Sequence, residues 1–269
     1  MIDCLFRRQP VADGEDPVFT ATDGTRSNWD PEIQHGSPPL ALLTKAIEDL
    51  SDRTAGGGLR IARLTLDIIG AIPVTTVRVE ARVDRPGRRI SLMTAEMLTD
   101  SADGSRRVVA RLTAWLLRPS DTRDAATDRY PPLTEGPETE MTHAWDGASG
   151  YLETVSWRQQ ATPEGEAREA WLSPLIPLVD SEPTTPLQRL AMVVDSANGI
   201  GATLDPQQFV FMNTDTVVHL HRLPTGADFG LRGRASIGPD GIGATTAEIF
   251  DRRGFIGTCA QTLLVQRRS

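Results

Sequence analysis

Few side chains in this sequence combine the type and the spacing that chemistry needs. His219 and His221 alternate along one strand-like run, an arrangement in which two imidazoles can share a metal. No third ligand stands at suitable spacing, so no metal is expected. Arg85-Pro86-Gly87-Arg88-Arg89 gathers guanidinium forks that match phosphate, although a solvated hairpin tip has the same composition. Ser196 lies in no GxSxG elbow, and no GxGxxG follows a strand, so neither an activated serine nor a phosphate-cradling loop is indicated. Cys4 and Cys259 show no CxxC spacing, which argues against a disulfide framework or a zinc site and predicts a reducing, cytoplasmic setting. Asp195 is placed late in an otherwise apolar helical segment. There it is either a boundary residue before Asn198-Gly199 or a carboxylate held for acid–base work.

The elements that must position these groups come in two copies. Pro39-Leu40-Ala41-Leu42-Leu43 and Pro186-Leu187-Gln188-Arg189-Leu190 each open a helix, and Thr94-Ala95-Glu96 returns as Thr246-Ala247-Glu248. The offset stays near ~150 residues, so the repeat is of domain size rather than a solenoid unit. The first helix is predicted from Ser37, as N-cap, through about Asp49, with proline in its first turn. It is apolar on nearly every side, which calls for a cover rather than a surface position. Four strands follow, over residues 59–69, 75–84, 89–99 and 107–117. Residues 120–150, rich in charge, Thr and Pro, read as a linker. Beyond it, strands at 151–159 and 167–174 precede a helix at about 185–198 and four more strands at 209–221, 228–236, 243–251 and 255–266. Each half is thus one long apolar helix and a four-stranded antiparallel meander. A curved sheet wrapped around its helix satisfies that order, and two such sheets joined edge to edge would remove an exposed edge from each.

At 269 residues the chain can hold two ordinary cores, and its net charge of −8 argues against nucleic acid as a main partner. The first eight residues contain no apolar h-region and no run reaches the length of a membrane span, so neither secretion nor a membrane anchor is expected.

Taken in order, several segments resemble one known family. They are Trp29 with Gln34-His35-Gly36 and the following helix, Arg85-Pro86-Gly87-Arg88-Arg89, Leu190 to Asp195, Asn213-Thr214-Asp215 through His221-Arg222, and Cys259-Ala260-Gln261-Thr262. Together they resemble the double-hotdog acyl-CoA thioesterases of the bacterial thioesterase II type. The resemblance covers almost the whole chain apart from the linker and the extreme N-terminus. It implies an α+β double hotdog, with an N-terminal hotdog domain over 1–119, a linker over 120–150 and a C-terminal hotdog domain over 151–269. It further implies an acyl-CoA substrate, no cofactor, and a homo-oligomer.

In such enzymes a helix Asp, a polar residue on the next strand and a Gln on the last strand hold the water that attacks the thioester. Carried over, these are Asp195, Asn213 in place of a Thr, and Gln261, with Thr214 and Asp215 as alternatives one or two residues along. Asp195 would take the water's proton while the two amides fix its lone pairs. Backbone N–H groups at His35-Gly36-Ser37 are the candidate oxyanion donors. His35, Gly36, Arg85 and Arg88 are the candidate substrate contacts, the arginines through coenzyme A phosphates. The repeat supplies an internal comparison, setting Glu48 opposite Asp195, Ala62 opposite Asn213 and Ala114 opposite Gln261. The N-terminal copy is then the non-catalytic one. Two other readings remain open: a non-catalytic acyl-CoA binding protein, and a hotdog hydratase, which would need a histidine that Ser196-Ala197-Asn198-Gly199 does not offer.

Overall fold

The computed structural model describes residues 2–55, 58–100, 104–134, 136–141, 149–160 and 167–268. In the N-terminal half, β1 (Phe6–Gln9) and β2 (Val18–Ala21) precede helix α1 (Ser37–Ala55), and β3 (Arg60–Ile68), β4 (Thr76–Arg85), β5 (Ile90–Asp100) and β6 (Arg106–Leu117) follow it. In the C-terminal half, β7 (Thr139–Glu140), β8 (Val155–Gln159) and β9 (Arg168–Pro174) lead to α2 (Pro186–Val194) and a single-turn α3 (Ala197–Gly201). After these come β10 (Phe209–Asn213), β11 (Asp215–Leu220), β12 (Phe229–Ile237), β13 (Ile242–Asp251) and β14 (Gly254–Arg267).

Among the described residues these strands make one sheet in the order β1-β2-β4-β5-β6-β3-β11-β14-β13-β12-β9-β8-β7, with β10 also pairing β14. The expected four-stranded meander is therefore only partly right. In each half three strands run as a meander, but the first strand after the helix lies beside the last one: β3 pairs β6, and β11 pairs β14. That placement brings β3 and β11 to the middle of the sheet. They pair antiparallel from Asp215↔Asp67 to His219↔Arg63 and join the two halves. Neither half leaves its inner edge open at that seam.

Helix α1 runs six residues past its expected end. Leu40, Ala41, Leu42, Leu43 and Ile47 are each at most 1% exposed, packed between α2 and the β4-β5-β6 surface. Full burial is worth roughly 1.5–3 kcal/mol for each large side chain, which explains a helix that is apolar all round. The two helices run antiparallel, because the end of α2 meets the start of α1 at Gly36, and Glu48 of α1 meets the start of α2 at Thr185. The second helix is shorter than the sequence suggests, since it stops at Asp195 and the chain turns before α3.

Parts of the 120–150 stretch (135 and 142–148) lie outside the described residues. The rest is not a free linker. Tyr130 stacks on Phe255 at 3.8 Å, Arg232 donates to the carbonyls of Pro131 and Pro132, and β7 extends the sheet edge beside β8. Leu133 fills the space over Gly230, where any Cβ would come within 2.2 Å of its Cδ1. Residues 130–134 are thus strapped to the C-terminal half. Among the described residues, no helix is long and apolar enough to cross a membrane.

Candidate active site

Asp195 caps the C-terminal end of α2 and is 1% exposed. A helix end leaves carbonyls without intrahelical partners, and here other elements supply the donors. The Gln261 Nε2 on β14 donates to the Asp195 carbonyl at 2.8 Å, and the Tyr151 hydroxyl donates to the Met192 carbonyl at 2.8 Å. With its last carbonyls satisfied from outside, α2 stops where its carboxylate meets the two central strands.

The Asp195 carboxylate is held through one oxygen. Its Oδ1 accepts from Asn213 Nδ2 at 2.8 Å, from Gln261 Nε2 at 3.3 Å and from the Thr216 hydroxyl. Asn213 and Gln261 also donate to the Thr216 oxygen, at 3.1 and 2.9 Å, and the hydroxyl proton has the Asp195 carboxylate and the Asp215 carbonyl as its acceptors. The two amides therefore direct their N–H groups at the carboxylate and at Thr216 rather than at a water. The other oxygen, Oδ2, sits against Gly36, where a Cβ would fall 2.3 Å away.

Asp195, Asn213 and Gln261 are accordingly brought together, and His35 and Gly36 stand beside them. Asp195, Asn213, His35 and Gly36 line a cavity of about 350 Å³, together with Trp29, Ile72, Leu152, Trp157, Ile200 and Phe211 among others. Arg85 and Arg88 do not line it. Arg85 donates to the Ile90 carbonyl, and the Arg88 carbonyl accepts from Arg118, both within the far end of the N-terminal sheet. Of the alternatives, Asp215 does not line the cavity, and Thr214 lines it without touching the Asp195 carboxylate: Asp215 Oδ1 takes the Thr262 N–H at 2.9 Å and the Thr214 hydroxyl at 3.3 Å.

Thr216 is the member that the sequence reading missed. It is fully buried, as Val218 is and as Leu220 nearly is, so counting inward positions back from those two apolar residues reaches it. Asn213 has the opposite parity. It points inward only because the chain is broken at Thr214, between β10 and β11.

The same break corrects the internal repeat. Met93 pairs Ala114 as Thr245 pairs Gln261, which keeps Ala114 and Gln261 equivalent. Leu64 then faces Ala114 as Thr216 meets Gln261, and Ile61 faces Leu116 as Asn213 faces Leu263. The counterpart of Asn213 is thus Ile61, not Ala62, and Thr216 corresponds to Leu64. Beside Glu48, the N-terminal copy carries Ile, Leu and Ala where the C-terminal copy carries Asn, Thr and Gln. Glu48 itself accepts from Gln188 Nε2 at 2.7 Å and from the Thr185 hydroxyl at the start of α2, while burial pushes its carboxyl above the usual range.

The backbone donors at the start of α1 are accounted for one by one. Pro38 and Pro39 have no N–H, and the Ser37 N–H donates to His35 Nδ1 at 3.1 Å. Leu40 N–H returns to the Gly36 carbonyl, so Gly36 rather than Ser37 takes the cap position. Among the described residues the Gly36 N–H donates to no protein group, and it adjoins the cavity beside Asp195 Oδ2.

His35 is a neutral partner here. Its side chain is 13% exposed, and desolvation, opposed by the Asp195 charge, lowers its pKa from 6.5 to about 4. With Nδ1 accepting from Ser37, the 3.8 Å approach to Asp195 Oδ2 is no ion pair in the neutral state. The unfolded chain binds a proton at His35 below 6.5 that the folded chain refuses until about 4. This contribution to stability is complete above pH 6.5 and is lost as pH falls towards 4, by up to about 3 kcal/mol. A His35→Asn variant is expected to lose that part of the profile when denaturant midpoints are compared across pH. Parallel profiles for the two proteins would refute it.

The chain's likeness to solved structures fits this geometry. A conserved protein with the hot dog fold from Alicyclobacillus acidocaldarius matches at a TM-score of 0.70 and 16% identity, over 96% of this chain and 95% of that one. The acyl-CoA thioesterase II TesB2 from Mycobacterium marinum matches at 0.62 and 12%, over 87% and 91%. The tesB protein from Mycobacterium avium subs paratuberculosis matches at 0.63 and 14%, over 96% of each. At such identities the likeness is one of fold. No curated protein matches the sequence.

The likeness establishes a hotdog-fold protein. Family models make the assignment more particular: residues 25–117 match the acyl-CoA thioesterase N-terminal domain and residues 127–265 the C-terminal domain. The chain belongs to the acyl-CoA thioesterase family.

Proposed function

We propose that this protein is a double-hotdog acyl-CoA thioesterase that hydrolyses fatty-acyl-type thioesters to free acid and coenzyme A, with one active site, in its C-terminal hotdog domain. In this reading the domains are 1–119 and 151–269, the first serving as the non-catalytic copy and 120–150 as the connection. The observation that carries the reading is the asymmetric Asp195 carboxylate, with Oδ1 fixed by three donors and Oδ2 beside an unused backbone N–H. The apolar lining of the cavity suits an acyl chain, and the buried, unpaired cysteines suit a cytoplasmic protein of lipid metabolism.

In this mechanism the thioester carbonyl approaches from the cavity, with its oxygen towards the Gly36 N–H and its carbon within reach of a water held at Oδ2. Oδ2 takes a proton from water as the water oxygen bonds to the carbonyl carbon, and the carbonyl π electrons move to the oxygen facing the Gly36 N–H. Collapse of that oxyanion re-forms the carbonyl and breaks the C–S bond. The proton on Asp195 then passes to the departing thiolate, or its equivalent passes to solvent. Thr216, Asn213 and Gln261 keep the carboxylate aimed throughout, which is the positioning contribution to the rate.

The test is thiol release from a panel of acyl-CoA esters of increasing chain length. Turnover with a maximum at one chain length is expected. Acyl-CoA binding without release at any length would overturn the hydrolytic reading in favour of a binding protein.

A further inference from the structure

The proposed base and the proposed oxyanion donor belong to different halves of the chain, so something must fix their separation. Tyr151 stands between them. It is the first residue of a short 3-10 turn before β8, and only 1% of it is exposed. Its hydroxyl donates to the Met192 carbonyl at the end of α2, and it lies 3.1 Å from Ser37 Oγ at the start of α1 and 3.0 Å from Ser196 Oγ just beyond Asp195. Its ring stacks on His35 with centroids 3.9 Å apart, and His35 in turn takes the Ser37 N–H. The Tyr151 N–H donates to the Arg26 carbonyl, tying the same residue to the N-terminal half a second time. The preceding Gly150 has φ +131, and a Cβ there would lie 2.8 Å from Arg26 Cβ, so the approach that inserts Tyr151 needs glycine.

We infer that Tyr151 is a positioning residue of the hydrolysis, a clamp between the turn that presents the Gly36 N–H and the helix end that presents Asp195. The inference rests on the roles proposed for those two residues. Tyr151 is not among the residues lining the cavity, whereas its neighbour Leu152 is, so it acts on the reacting groups through His35, Ser37 and α2 rather than by touching substrate. Released from the hydroxyl, the turn and the helix end lose the polar link that joins them directly, while the Tyr151 N–H still holds the Arg26 carbonyl. A displacement of the order of an ångström between base and oxyanion donor is enough to cost roughly 10²-fold in rate.

Tyr151→Phe keeps the ring, its stack on His35 and the cavity wall, and removes only the hydroxyl. Steady-state thiol release is measured per folded molecule, well below the melting transition, with circular dichroism establishing that the variant is folded. A fall in kcat of tenfold or more, with KM within twofold of the parent, is expected. A folded variant with parental kcat overturns the clamp, and so does a raised KM with kcat intact, which would make Tyr151 a wall of the binding site. If Tyr151→Phe does not fold, Ser37→Ala decides, because it removes one end of the clamp without emptying the core: reduced kcat supports the inference and parental kcat overturns it. An inactive parent protein would instead sink the underlying thioesterase reading, so the two failures are distinguishable.

Discussion

Asp195→Asn is expected to reduce thiol release from acyl-CoA by roughly 10³-fold while leaving the protein folded. A positioned general base supplies roughly 10²–10⁴-fold, and the amide cannot accept the water's proton. The fold should survive because the substitution is nearly isosteric and the remaining oxygen can still accept from Thr216, Asn213 and Gln261. No charge remains buried at a site that is 1% exposed, so the melting temperature is expected to stay level or to rise. Kinetics and thermal unfolding on the same preparation check both halves of this claim. Activity within tenfold of the parent would remove Asp195 as the base, and loss of activity together with loss of the folded state would assign it a structural role instead.

How much of this site could be read from the chain depends on parity. Asp195 and Gln261 were legible because each lies in an uninterrupted element, a helix of fixed pitch and a strand of fixed alternation. Thr216 was passed over although alternation within β11 reaches it, because the count was carried on across a break at Thr214 that alternation does not announce, and an error of one residue turns a strand's side chains to the other face. Counting back across that break from His221-Arg222 recovered Asn213 but assigned it the wrong counterpart in the N-terminal half. Tyr151 was illegible for a different reason. It is a single aromatic at the edge of a polar segment, and its partners Ser37, Met192 and Ser196 are 114, 41 and 45 residues away. Arg85 and Arg88, whose composition suggested phosphate binding, are placed by the fold away from the cavity.

The pairing of the two helices was similarly hidden, and it is what makes Glu48 informative. Glu48 and Asp195 each meet the N-terminus of the opposite helix. At Glu48 the helix start answers with the Thr185 hydroxyl and the Gln188 amide, so the carboxylate is fully engaged. At Asp195 the helix start offers Gly36, with no side chain to engage Oδ2. The difference between the engaged carboxylate of Glu48 and the proposed base is thus carried as much by what the opposite helix lacks as by Thr216, Asn213 and Gln261.

That reasoning leads to the second large effect, at Gly36. Its φ lies outside the left-handed region, so alanine is tolerated by the backbone and the effect of Gly36→Ala is one of space alone. The added Cβ would lie 2.3 Å from Asp195 Oδ2, 2.8 Å from Cγ and 3.0 Å from Oδ1. One side must move. The carboxylate resists because Oδ1 is fixed by Asn213, Gln261 and Thr216, and the start of α1 resists because Ser37 is tied to His35 and Tyr151. The strain is expected to cost about 1–3 kcal/mol of stability, as overpacking does elsewhere. The effect on kcat should be larger, roughly 10²-fold or more, because the displaced atoms are the proposed base and the proposed oxyanion donor. A double-mutant cycle separates this from general damage: on an Asp195→Asn background Gly36→Ala should cost clearly less than on the parent, since one of the two groups it displaces no longer works. Fully additive losses would place the effect of Gly36 elsewhere, and a Gly36→Ala enzyme with at least half the parental kcat would mean that the carboxylate is not held where the mechanism requires it.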